Sequence, residues 1–153
     1  MARVVGIDLF SERRDVAVMD MHDLQYPDCS FDVIFASHSL EHSLDPLRVV
    51  SEILRVARPR AWVVLEVPVG FTTSERELQD FGSSEGLLGL FGGHVGEVVL
   101  AQDLASRSPG NDEGSAVARV VFRLADPQRA DDGTCREHWP WSTGRPNGAG
   151  PDR

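Results

Sequence analysis

The chain has 153 residues, 41% of them hydrophobic and 25% charged, which suits one globular domain with a substantial core and excludes a disordered chain. Its 24 acidic residues against 15 basic ones give a formal charge of −9, which repels nucleic acids and anionic membrane surfaces, so neither is expected as a partner. Every basic residue is arginine, which excludes Schiff-base lysine chemistry and lysine-bearing phosphate loops. No secretory leader is visible, nor any apolar run approaching the ~18 residues of a membrane span. With two cysteines far apart, Cys29 and Cys135, a cytoplasmic, reduced protein is expected.

Val4 to Leu9 and Val16 to Met19 are short, β-branched and nearly continuous in apolar character, the pattern of strands covered on both faces. Each segment meets an acid, Asp8 and Asp20, and carboxylates at the carboxyl ends of neighbouring parallel strands point into the crevice where such sheets bind ligands. These residues therefore read as a nucleotide-handling stretch. The link from Phe10 to Asp15 is too short for a full helix. A loop from Asp23 to Ser30 carries the turn signal Pro27-Asp28 and leads into a third strand, Phe31 to Ser37. Asp45-Pro46 then opens the clearest helix: Asp45 can cap free N–H groups, Pro46 suits the first position, and Val50, Ile53, Leu54 and Ala57 recur at helical spacing. Arg48, Ser51, Glu52 and Arg55 are expected on its wet face, and Pro59 is expected to end it just after Arg58. Trp62 to Val67 is the next strand, and a strand, helix and strand in that order imply a parallel crossover. Further on, Glu75 to Asp80 and Gly86 to Phe91 are short helical candidates, Glu97 to Ala101 a strand, and Ala116 to Leu124 a longer one. From Asp126 to Arg153 the composition turns to Pro, Gly, Asp and Arg, the mark of a disordered tail anchored only by Trp139 and Trp141.

At Asp20-Met21-His22-Asp23-Leu24, Phe31-Asp32-Val33-Ile34, Ser37-His38-Ser39-Leu40-Glu41-His42 and Glu52 to Pro59, the chain resembles class I S-adenosylmethionine-dependent methyltransferases of the type 11 methyltransferase domain. The resemblance implies an α/β, Rossmann-like domain over residues 1–125, its mostly parallel sheet flanked by helices. It also implies that Asp8 accepts hydrogen bonds from the ribose hydroxyls of S-adenosylmethionine and Asp20 from the adenine amino group. Met21 would lie against the ring. Ser37 and His38 would line the methionine end, and His42 or His38 is the general base available near neutral pH. The acceptor expected from this reading is a small molecule.

Three departures from the family pattern stand out. The chain opens on Val4 to Asp8, so the first strand of the family sheet and its glycine-rich loop are expected to be missing. The helix between the next two strands is reduced to about six residues, and the usual Pro-Gly-Gly turn is Pro59-Arg60-Ala61. A sheet without its central strand exposes backbone edges, which predicts self-association and impaired cofactor binding. A competing reading is a non-catalytic remnant serving as a binding module, and a third is a nicotinamide-dependent oxidoreductase. His38-Ser39-Leu40-Glu41-His42 also spells the H-x-x-E-H zinc-peptidase pattern, but that motif belongs on a helix, whereas here it leaves a strand. No metal is expected. Asp32 reads as structural.

Overall fold

The computed structural model describes residues 4–75, 77–105 and 116–126. The two short apolar segments form β1 (Gly6–Asp8) and β2 (Val16–Val18), paired in parallel as a small sheet of their own. A second sheet holds β3 (Phe31–Ser37), β4 (Ala57–Val69), β5 (Val95–Ala105) and β6 (Ala116–Leu124) in the order β3-β4-β6-β5. β3 and β4 run parallel, with the helix α1 (Pro46–Val56) between them; the β4–β6 and β5–β6 ladders are antiparallel. Among the described residues no ladder joins the two sheets. β3 is therefore an edge strand.

Alternation along the strands decides which face is buried. Val63, Leu65 and Val67 of β4 share one face with Ala118, Val120 and Phe122 of β6, and Ile34 and Ala36 of β3 pack against them. Onto this face α1 sets Val49, Val50, Ile53 and Leu54, while α2 (Ser84–Gly89) and the turn after it add Leu87 and Phe91. The Phe91 ring meets Phe122 edge-on at 5.0 Å. Both α-helices thus lie on one side of the sheet. The opposite face carries Val33 and Phe35, 55% and 70% exposed, beside the part-exposed Trp62, Val64 and Val121.

The capping signals act as read: Asp45 Oδ1 accepts the Arg48 N–H at 3.0 Å, and Pro46 occupies the first turn. The helix stops at Val56 rather than Arg58, because Ala57 already pairs with Phe31 and starts β4. Glu52 does not belong to a wet face. It is buried, and Arg55 beside it is only half-buried, since both reach the loop that precedes β3. The described residues of the Glu75 to Asp80 segment are not helical; Leu78 and Gln79 donate their N–H groups to the Glu41 carbonyl instead. Cys29 is disulfide-bonded, which corrects the reduced thiol expected from composition. The tail from residue 127 onward, with Trp139 and Trp141, lies outside the described residues.

Arg60 occupies the left-handed region (φ 62°) at the turn where the related pattern places glycine. A side chain there is strained by roughly 1–2 kcal/mol, part of which glycine would relieve despite its larger entropy loss. Arg60→Gly should raise unfolding stability by up to about 1 kcal/mol in urea titrations. By contrast, Phe122→Ala, at a fully buried position, should lower it by about 3–5 kcal/mol.

Candidate functional site

The parallel register aligns Asp8 with Val18, and the Met19 N–H donates to the Asp8 carbonyl at 2.8 Å, so the chain leaves β2 beside the end of β1. Asp8 Oδ1 accepts the Phe10 N–H at 3.2 Å. Asp20 Oδ1 accepts two bonds from His22, from its backbone N–H at 2.8 Å and its ring Nδ1 at 2.7 Å. The Asp20 carboxyl is held below its ordinary range, first by the His22 backbone N–H and then by the His22 ring. Met21 is partly buried and packs on the core. Both acids are exposed, and each keeps one oxygen without a hydrogen bond to the described residues.

The second group of residues sits at the carboxyl end of β3. His38 has a left-handed backbone (φ 50°), a conformation histidine tolerates better than most residues, and its N–H donates to the Glu66 carbonyl at 2.8 Å. This twist puts the imidazole between two carboxylates, with Nδ1 at 3.7 Å from Glu41 Oε1 and Nε2 at 3.4 Å from Glu66 Oε1. His42 approaches the same Glu41 oxygen, also at 3.7 Å. Glu41 is buried, and its Oε2 has no hydrogen-bond partner. Arg119 Nε donates to Glu66 Oε2 at 2.6 Å, which pulls the Glu66 carboxyl below its usual range, and Ser37 Oγ lies 3.5 Å from Glu66 Oε1.

Residues 1–65 match the family model of the methyltransferase domain. The structure superimposes on 1,6-didemethyltoxoflavin-N1-methyltransferase of Burkholderia thailandensis with a TM-score of 0.61 at 17% identity, over 81% of this chain and 62% of that one. The [4+2]-cyclase SpnF gives 0.58 at 21% identity, over 73% and 57%. An S-adenosylmethionine-dependent methyltransferase of Thermotoga maritima gives 0.55 at 18% identity, over 72% and 63%.

The fold is that of the class I S-adenosylmethionine-dependent methyltransferases.

The resemblance read from the sequence is thereby borne out, as is the Rossmann-like architecture. Among curated proteins none matches. The chain spans less than two thirds of the length of each of the three structures named.

S-adenosylmethionine is the cofactor to which the domain and the fold point. The adenosine end fits the residues present, since Asp8 and Asp20 offer acceptor-only oxygens to hydroxyl and amino donors. At the methionine end the donor set is thinner: none of β1, β2 and β3 is followed by a glycine-rich turn. The methyltransferase fold also brings in residues that the sequence did not single out. Glu66 was signalled only as a lone acid inside an apolar strand. Ser43 gave no signal, and His22 and Glu41 entered only as letters of the quoted motifs, with no role of their own. That pattern adopts a strained residue followed by a 3-10 turn, Leu40–His42, in place of the helix its metal-binding use requires. Among the described residues no group of three or more His, Cys, Asp or Glu side chains is arranged to hold a metal ion.

Because the Glu66 carboxyl is depressed in the folded state, its contribution to stability is complete above the unfolded glutamate range and is lost as pH falls through the lowered folded value. Thermal melts of Glu66→Gln against the parent chain should therefore diverge at neutral pH and converge in acid.

Proposed function

We propose that the chain performs S-adenosylmethionine-dependent methyl transfer to a small-molecule nucleophile. The observation that carries the proposal is the conjunction of two open carboxylates at the ends of β1 and β2 with a histidine set between carboxylates at the end of β3. Asp8 accepts the ribose hydroxyls and Asp20 the adenine amino group, with Met21 against the ring. Ser37 and His38 face the methionine end. When bound, the cofactor supplies an electrophilic methyl group. The protein's own part is to orient the acceptor, exclude water and take up a proton where the acceptor carries one. His38 is the residue placed for that step, since Glu41 and Glu66 on either side compensate the charge it acquires; His42, beside the same buried acid, is the second candidate. The acidic surface favours neither nucleic acid nor membrane as partner. Among the described residues no helix is long and apolar enough to cross a membrane.

Binding of the cofactor by this chain is proposed to be weak, because none of β1, β2 and β3 is followed by a glycine-rich turn that would supply a backbone N–H nest for its carboxylate. A second reading, a non-catalytic interaction module, is favoured by one feature: β3 presents an unpaired edge with Val33 and Phe35 exposed. The same edge supports self-association. Sedimentation across a concentration series separates these states, and a monodisperse monomer with a cooperative melt would remove the self-association proposal.

Calorimetry with S-adenosylhomocysteine should give an affinity weaker than micromolar, and Asp8→Ala should weaken it by a further 1.5 to 3 kcal/mol, roughly the value of a hydrogen bond to a charged acceptor. His38→Ala and His42→Ala should lower turnover more than affinity. An affinity unchanged by Asp8→Ala would remove the ribose assignment.

A further inference from the structure

His22 is tied at both ends. Its Nδ1 lies 2.7 Å from Asp20 Oδ1, and its Nε2 lies 2.8 Å from Ser43 Oγ. A carboxylate can only accept, so Nδ1 carries the hydrogen, and in the neutral ring Nε2 accepts the Ser43 O–H. Ser43 Oγ in turn accepts the Asp45 N–H at 3.1 Å, and Asp45 caps α1. An Asp-His-Ser chain of this kind invites comparison with a nucleophile triad. Ser43 is fully buried, however, and its hydroxyl is engaged from both sides, so it cannot attack a substrate. The chain has to work in the other direction, toward the exposed Asp20.

We infer that His22 is the positioning residue for Asp20: anchored on Ser43, it saturates Oδ1 with its backbone and ring N–H groups and leaves Oδ2 as a fixed, acceptor-only contact for a ligand amino group. The inference rests on the proposed adenine contact of Asp20 and adds what makes that contact selective. A freely rotating carboxylate would offer either oxygen in many directions. One clamped through Oδ1 offers a single acceptor, which accepts the 6-amino donor of adenine and opposes the 6-carbonyl of hypoxanthine. The same chain runs from the end of β2 to the residue following His42, so the adenine contact and the segment bearing His38 and His42 are fixed to one another.

The test is an NMR-monitored titration of the 153-residue chain, in the millimolar range that weak binding demands, with S-adenosylhomocysteine and with S-inosylhomocysteine, which carries a 6-carbonyl and an N1–H in place of the 6-amino group and bare N1. The parent chain should prefer the adenine ligand. His22→Phe, which keeps a ring and removes both ring bonds, should reduce that preference by about 5- to 10-fold, roughly the net worth of one ordinary hydrogen bond. His22→Asn, whose amide restores a donor near the Nδ1 position, should recover most of it. Should His22→Phe not fold, Ser43→Ala supplies the same comparison by cutting the far anchor of the ring, along with the Asp45 N–H bond to the same oxygen, and it should erode the preference as well. Equal weakening of both ligands would overturn the inference and leave His22 a structural residue. Equal binding of both ligands by the parent chain would overturn it together with the adenine role of Asp20. Binding of neither ligand would overturn the methyltransferase reading on which the inference stands.

Discussion

Arg55 and Glu52 hold the two sheets in one molecule. No backbone ladder connects β1 and β2 to the larger sheet, so their position depends on the segment between β2 and β3 and on what grips it. Arg55 donates to the carbonyls of Leu24 and Tyr26 at 2.7 and 2.8 Å and to Asp28 at 2.9 Å, while Glu52 accepts the Leu24 N–H at 2.8 Å and pairs with Arg55 itself. The pairing raises the Arg55 pKa, Glu52 being the main cause. A buried carboxylate is costly alone and tolerable only when its oxygens are satisfied, which this arrangement achieves. Losing either partner would strand the other and release the loop from Leu24 to Asp28 that leads into β3.

This clamp also shows where sequence reading stops. On a helical wheel Arg48, Ser51, Glu52 and Arg55 line up as a solvated stripe, and nothing within the helix says otherwise. The burial of Glu52 and Arg55 is set by the earlier loop from Leu24 to Asp28, a tertiary fact invisible to periodicity. What was legible was local. The alternation of Ala116 to Leu124 gave β6 its bounds, Asp45-Pro46 gave the start of α1, and Asp20-Met21 with Ser37 to His42 gave the residues of the candidate site. Glu75 to Asp80 misled because its composition suits a helix, whereas its N–H groups find a better acceptor in Glu41. The lengths of β4 and β5 were underestimated because Arg58, Pro59 and Arg60 at one end, and Gln102 and Asp103 at the other, break the apolar pattern without breaking the ladder.

In the candidate site, at the end of β3, two costs are accepted together. His38 holds a conformation that few side chains adopt, and Glu41 is buried with one oxygen unpaired. Features of this kind survive where the surroundings over-determine them, and they gather at functional positions. Here the backbone bond from His38 to Glu66 and those from Leu78 and Gln79 to Glu41 fix the pair from opposite sides. The imidazole is consequently presented between acids rather than left to rotate in solvent.

The three-residue ladder between β1 and β2 has a thermodynamic corollary. With so few cooperative bonds, and with Val4, Leu9 and Phe10 exposed around it, this small sheet can open while β4, flanked on both sides by partners, stays closed. Amide hydrogens of β1 and β2 would then exchange by local fluctuation, and those of β4 and β6 only through global unfolding. Any molecule gripping Asp8 and Asp20 would first have to quiet that motion, so its association would carry an unfavourable ordering entropy absent from a ligand held by the larger sheet alone.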